Sequence, residues 1–258
     1  MIDYHVRVAP RLLPHLEGRP LTLKRYPNGV DEPFFFEKRC PPHAPAWIER
    51  ADGSIPYCVL DGLASLVWVA NLASLELHPS LHLAAAPEVP TLVAFDLDPG
   101  APADVVDCAR LATDLRDMLD VLGLQCFPKT SGSKGMQVYV PLNTPTTYDA
   151  TRAFSQAVAF TLERQLPDRV VANMAKQRRE GKVFVDWAQN HPVKTTIAAY
   201  SLRAMPEPTV STPVTWDEVE DARDAADLTF TAEQVLERDH DPFAPVATLE
   251  QELPGLAA

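Results

Sequence analysis

Three aspartates are the residues whose type and spacing best suit chemistry. Asp96 and Asp98 stand at i and i+2 in the apolar run TLVAFDLD (91–98). On a strand that spacing puts both carboxylates on one face, about 6–7 Å apart. Like charges so close raise each other's pKa unless a cation intervenes. Pro99-Gly100 then turns the chain away and leaves the strand end open to a ligand. Asp186 ends a second apolar run, KVFVDW (182–187), on the face of Phe184 and opposite Val183, Val185 and Trp187. Three carboxylates from two strands suit two divalent ions and in-line phosphoryl transfer. Singly, each also fits a plainer role, as a solvent-facing acid or a salt-bridged strand end.

Cations accompany them. The loop TSGSKG (130–135) offers glycines for close backbone approach to phosphate, the Ser131 hydroxyl and the Lys134 charge. It lacks the Walker A spacing and precedes a strand, so it also reads as an ordinary turn. Lys176, Arg178, Arg179 and Lys182 precede Asp186, and Lys194 and Arg203 follow it. Lys24 and Arg25 share a predicted hairpin with Phe34, Phe35, Phe36 and Lys38, a mixture suited to stacking on bases and gripping phosphates. Core packing is expected to claim one or two of those phenylalanines. His78 lies just past a predicted helix, where it reads by itself as a cap-region histidine.

The elements that position these residues follow from periodicity. Residues 5–18 predict a helix ending at Gly18; LTLKRY, the PNG turn and FFF predict a hairpin. Helical spacing runs from Gly62 to His78, from Val105 to a stop at Gly123, and over 150–166. Strands are expected at 91–98, 136–142, 182–187 and 195–201. Thr231 caps a short helix, and the last fifty residues otherwise look loose. The mixture predicts an α/β (α+β) fold.

The 258 residues are 46% hydrophobic and 22% charged, enough for one large core or two small ones. Nothing reads as a membrane span or export signal. Four cysteines without a CxxC pair predict reduced thiols in a cytoplasmic protein. The net charge of −12 speaks against nucleic acid, but its distribution is uneven: residues 129–203 carry 11 Lys+Arg and 5 Asp+Glu, residues 204–258 only 2 against 13.

Taken in order, KRYPNGV…FFFEK, LELHP, FDLDPG, TSGSKG-x-x-VYVPL, GKVFVDWAQN and KTTIAAYSLR resemble the polymerase domain of bacterial ligase D, in the archaeo-eukaryotic primase superfamily. The resemblance runs from Asp3 to Thr215. It implies a primase-like fold, central mixed or antiparallel sheets flanked by helices, in a single primase-polymerase domain (1–258), with motifs in 1–203 and an acidic segment in 204–258. It further implies a template-dependent nucleotidyltransferase adding NTPs or dNTPs to a primer 3′-OH in gap filling or end repair, with two Mn²⁺ or Mg²⁺ ions. By position, Asp96, Asp98 and Asp186 are the expected catalytic metal ligands. Lys24, Phe36, His78, Ser131, Lys134, Gln137 and Arg203 are the expected nucleotide contacts. Arg25, Phe35, Lys38, Arg178, Arg179 and Lys182 are expected to meet nucleic acid.

The expected partners are primer-template or gapped DNA and NTP or dNTP, with Ku and a ligase acting in trans, no membrane, and a nucleoid-associated cytoplasmic location. No KxDG ligation motif or His-rich phosphoesterase segment is present. Two departures stand out. Gln137 replaces the family's usual histidine, which predicts weaker triphosphate binding or slower turnover. The family's Asn-x-x-Lys stretch and a further lysine, which recognise a downstream 5′-phosphate, have no counterpart before Met1, predicting a trimmed chain or reduced recognition of that phosphate. The competing readings are a non-catalytic or weakly active nucleic-acid binder, and a metal-dependent phosphohydrolase.

Overall fold

The computed structural model describes residues 1–51, 53 and 55–255. In chain order the helices are α1 (Ile2–Leu12), α2 (Leu63–Asn71), α3 (Val105–Val121), α4 (Tyr148–Gln165), α5 (Trp216–Asp221) and α6 (Ala232–Glu237). The strands are β1 (Leu21–Arg25), β2 (Phe35–Glu37), β3 (Glu49–Ala51), β4 (Tyr57–Val59), β5 (Ser74–Pro79), β6 (Leu92–Pro99), β7 (Phe127–Thr130), β8 (Met136–Pro141), β9 (Val170–Val171), β10 (Val183–Asp186), β11 (Leu202–Arg203) and β12 (Thr209–Val210).

Two five-stranded sheets carry the fold. In the first, β1 pairs antiparallel with β2, β4 and β5, and β3 extends it beside β4. The second has the order β7-β8-β6-β10-β9, antiparallel except for the β9–β10 pair. Strand alternation sorts the second sheet's two faces. Val93, Phe95 and Leu97 of β6, Val138 and Val140 of β8, and Val183 and Val185 of β10 pack with Leu111, Leu115, Phe154 and Leu162 of α3 and α4. The opposite parity, Leu92, Ala94 and Tyr139, meets Leu21, Leu23 and Leu77 of the first sheet, with Leu81 just past β5, in a second core. Asp96, Asp98, Gln137 and Asp186 continue that second parity where the sheets part.

Local chemistry explains where α3 starts and stops. The Asp104 carboxylate accepts from the Val106 and Asp107 backbone N–H groups (2.8 and 3.3 Å), and Asp107 returns a bond to Asp104 N. Gly123 takes a left-handed φ of 75° just past the helix end.

Several expectations need correcting. The helix expected over 5–18 ends at Leu12 and passes into a 3₁₀ turn, Leu13–His15, with Pro14 inside it. The helix expected over 62–78 stops at Asn71, and Ala73 with φ 59° turns the chain into β5, so His78 lies on a strand. Residues 195–201 do not form a strand. Thr196 and Ala198 donate to the Pro79 and Leu77 carbonyls (3.3 and 2.9 Å), but Tyr200, at φ 64°, breaks the ladder. The acidic end is not loose: Leu228, Val235, Phe243 and Val246 are buried in the two cores. Phe34, Phe35 and Phe36 are all exposed (49, 43 and 55%), so core packing takes none of them. Cys40 and Cys58 are joined in a disulfide, and only Cys108 and Cys126 are free, against the expected reduced thiols.

Candidate active site

A row of polar side chains crosses the second sheet. Asp96 is the register partner of Asp186 on one side and of Gln137 on the other, and Lys129 of β7 stands opposite Gln137. The Gln137 amide is oriented by its neighbours: Nε2 donates to Asp96 Oδ1 (3.2 Å), and the Tyr139 hydroxyl donates to Oε1 (3.4 Å). Gln189 Nε2 lies 3.5 Å from the other Asp96 oxygen. Asp186 Oδ1 accepts from Ala188 N (3.0 Å) at the head of the Trp187–Gln189 turn. Buried Asn190 locks that turn to β6, donating to the Ala94 and Trp187 carbonyls (2.8 and 3.0 Å) and accepting from Ala94 N (2.9 Å).

Two loops close over the end of β6 because glycine lets them. A Cβ at Gly135 would sit 2.3 Å from the Leu97 carbonyl oxygen, and one at Gly100 would sit 1.9 Å from that of Arg179. The first contact seats the TSGSKG loop, where Ser131 Oγ accepts from the Ser133 and Gly135 N–H groups (3.2 and 3.1 Å). Lys134 Nζ and Arg179 Nη1 then meet Asp98 at 3.2 and 3.5 Å, with the Arg179 guanidinium 3.6 Å from the centre of the Phe184 ring.

A cavity of about 240 Å³ opens between the sheets, lined by Asp96, Asp98, Ser131, Lys134, Gln137, Gln189, Thr195, Thr196, His78 and Arg203. The first sheet contributes its cations through one carboxylate. Glu76 of β5, 2% exposed, accepts from Lys24 Nζ (3.0 Å), Tyr26 Oη (3.1 Å) and Ala204 N (3.4 Å) at Oε1. At Oε2 it faces His78 Nε2 (3.1 Å) and Arg203 Nη1 (3.7 Å). An ionised carboxylate only accepts, so His78 Nε2 carries the proton. Lys24 Nζ also lies 4.2 Å from the Phe34 ring centre and 5.8 Å from that of Phe36, whose ring is 6.0 Å from His78.

Not every expected contact joins this site. Arg25 turns to Glu37 (2.7 Å) and the Leu72 carbonyl (2.7 Å), with Phe35 stacked beneath its guanidinium. Lys182 donates to the Pro167 carbonyl (2.6 Å), on the far side of β10. Lys38 lines a separate cavity of about 250 Å³ with Thr22, Tyr57 and His82. Arg178 is exposed on the Lys176–Arg178 turn.

Electrostatics mark the row. Burial pushes the Asp96 carboxyl up to about 6; the Gln137 hydrogen bond opposes this, while Asp186 and Asp98 add to it. Burial raises Asp186 too, against the Ala188 hydrogen bond. Lys129 is fully buried, which holds its ammonium group well below the usual lysine range. Glu76 goes the other way. Burial would raise it, but the His78 and Lys24 hydrogen bonds and the Arg203 charge hold it at about 2. The donor set fits a hard divalent cation, being carboxylate oxygens gathered on one face of the sheet. Among the described residues no three His, Cys, Asp or Glu side chains already stand in a metal-holding group; Asp98 is drawn toward Lys134 and Arg179.

Glu76, Gln189 and Lys129 are absent from the sequence reading. In LELHP the i, i+2 spacing of Glu76 and His78 would have paired them, had the segment been read as a strand. Gln189 follows Asp186 within WAQN; Lys129, directly before the TSGSKG loop, gave no signal of its burial.

A family model, the LigD primase-polymerase domain, matches residues 1–243. The chain belongs to this family. The multifunctional non-homologous end joining protein LigD of Mycolicibacterium smegmatis is 42% identical over 228 residues, 86% of this chain and 30% of that protein. The bifunctional LigD of Bacillus subtilis is 33% identical over 239 residues, 92% of this chain and 39% of that protein. The chain therefore spans about a third of the length of these curated LigD relatives. The polymerase domain of Mycobacterium tuberculosis ligase D, solved in complex with DNA, superposes with a TM-score of 0.88 at 38% identity, covering 97% of this chain and 92% of that one. The LigD-type primase-polymerase fold expected from the sequence is the fold observed.

Proposed function

We propose that the chain is a template-dependent nucleotidyltransferase that adds NTPs or dNTPs to a primer 3′-OH during gap filling or end repair, with residues 1–258 acting as one catalytic unit. The observation that carries this reading is the facing pair Asp96 and Asp186, with Asp98 beside them, at a cavity lined by Ser131, Lys134, His78 and Arg203. Those three aspartates would hold two Mn²⁺ or Mg²⁺ ions. Bound there, such ions lower the pKa of the primer hydroxyl and neutralise charge developing on the triphosphate.

The remaining work falls to the chain's own side chains. Ser131 Oγ already accepts two N–H groups, so its proton is free for a phosphate oxygen. Lys134 and Arg179 are tied to Asp98 and would turn to the triphosphate and primer once a cation takes over that carboxylate. Phe36 offers an exposed face for the incoming base, with His78 and Lys24 against it. Phe35, Lys38 and Arg178 lie exposed and available to DNA; Arg25 and Lys182, bound within the fold, support their own segments.

Relatives named for non-homologous end joining support placing the activity in that repair route; the reading adds Ku and a DNA ligase as its partners and the nucleoid as its place. A weakly active nucleic-acid binder is the second reading. It is favoured by the engagement of both Asp96 oxygens by glutamine amides. Primer extension on gapped DNA, with Mn²⁺ and NTPs or dNTPs, separates the two. Elongation that disappears in Asp96→Ala/Asp98→Ala supports the polymerase; a gel shift without elongation under every nucleotide and metal supports the binder.

A further inference from the structure

Glu76 is almost wholly buried, yet five donors converge on it: Lys24, Tyr26, His78, Arg203 and the Ala204 N–H. A buried carboxylate is costly, and replacing such clusters by apolar residues is often neutral or stabilising. Stability alone is therefore a poor account of it. What the five donors share is their place. Arg203 and His78 line the cavity beside the TSGSKG loop, while Lys24 lies against Phe34 and Phe36 at its outer edge.

We propose that Glu76 is a positioning residue that fixes Lys24, His78 and Arg203 relative to one another, so that the triphosphate and the base of one nucleotide are gripped as a unit. This rests on the nucleotide-binding reading of the cavity. Charge alone predicts the opposite effect, since a carboxylate beside a triphosphate site repels the ligand. The sign of the change on neutralisation therefore separates positioning from repulsion. Glutamine keeps the shape but not the acceptors: each Glu76 oxygen faces two or more donors, so an amide NH₂ would meet donors whichever way it turned.

The test is calorimetric titration of the full chain with ATP and, separately, with inorganic tripolyphosphate, comparing the parent protein with Glu76→Gln and recording thermal melts. The expected result is about tenfold weaker ATP binding in Glu76→Gln, with a smaller loss for tripolyphosphate, because the base platform detaches from the phosphate grip. In primer extension KM for NTP rises more than kcat falls. Unchanged or tighter binding of both ligands by a folded Glu76→Gln overturns the proposal.

Should Glu76→Gln melt below the assay temperature, Tyr26→Phe carries the test. It removes one donor from Oε1 without reaching the cavity, and about two- to threefold weaker ATP binding is expected; unchanged affinity overturns the proposal. A parent protein that binds ATP with this Glu76 dependence but extends no primer sinks the polymerase reading and leaves Glu76 its role. A parent protein that binds neither ligand overturns both.

Discussion

Asp96 and Asp186 face each other directly across the β6–β10 pair, two carboxylates on the same side of one sheet with only glutamine amides and a backbone N–H in hydrogen-bond reach. Like charges opposed on neighbouring strands are destabilising. Asp96→Asn should raise the melting temperature in metal-free buffer at pH 7.5 by about 2–4 °C. The same variant should lose the stabilisation that Mn²⁺ gives the parent chain. Differential scanning fluorimetry with and without Mn²⁺ reads both; a variant that melts lower without metal refutes the argument.

The Glu76 cluster carries a pH signature. Its carboxyl is held at about 2 in the folded chain, below the ordinary 4.5. A depressed carboxylate contributes stability that is fully present above its unfolded pKa and lost as pH falls through its folded one. The stability difference between the parent chain and Glu76→Gln should therefore shrink as pH drops from 5 to about 2.5. Urea denaturation at stepped pH measures it, and a constant gap counts against the assigned charge state.

Gln137 fills the place of the histidine usual in the family, and it spends its amide on Asp96. An imidazolium at that position adds a charge beside Ser131 and Lys134. Gln137→His should lower the KM for NTP by about threefold or more in primer extension. An unaltered KM and turnover would mean that the glutamine costs nothing.

The Cys40–Cys58 disulfide closes an 18-residue separation that begins shortly after β2. Loops of that size lose about 3 kcal/mol of stability on reduction. Chemical denaturation with and without dithiothreitol checks the figure. No difference would show that the thiols are not joined in solution.

The end of the chain is a structural strut despite its charge. Phe243 is buried against His15 and Tyr139, in the core between the sheets. Phe243→Ala should cost about 3–5 kcal/mol. Neutralising exposed Asp239, by contrast, should leave the denaturation midpoint nearly unchanged.

The three central strands of the second sheet were legible from the sequence; its edge strands β7 and β9 were not. In β6, β8 and β10 one face is apolar throughout, and a period of two fixes both the strands and the side on which Asp96, Asp98 and Asp186 emerge. Of the first sheet only the β1–β2 hairpin was legible. Apolar residues from Leu63 to Leu77 keep helical spacing across a helix-to-strand junction that Ala73 makes by adopting a left-handed φ, and nothing in an alanine announces that. That one misread junction concealed Glu76 and misplaced His78. The exposed phenylalanines failed in another way: hydrophobicity argues for burial, but Phe34 and the short edge strand β2 lie outside the core, with Lys24 and Arg25 set against their rings.

The carboxylates belong to one sheet and the Glu76-bound cations largely to the other, joined by an apolar seam of Leu21, Leu23, Leu77 and Leu81 against Leu92, Ala94 and Tyr139. On the proposed reading, the gap between the carboxylates and the cations of the other sheet is thus set by that seam, with the TSGSKG loop closing over it. Interiors are packed nearly as tightly as crystals and resist compression. The seam works like the rivet of a pair of pliers: trimming a leucine there, out of reach of every polar atom, resets the spacing of the jaws.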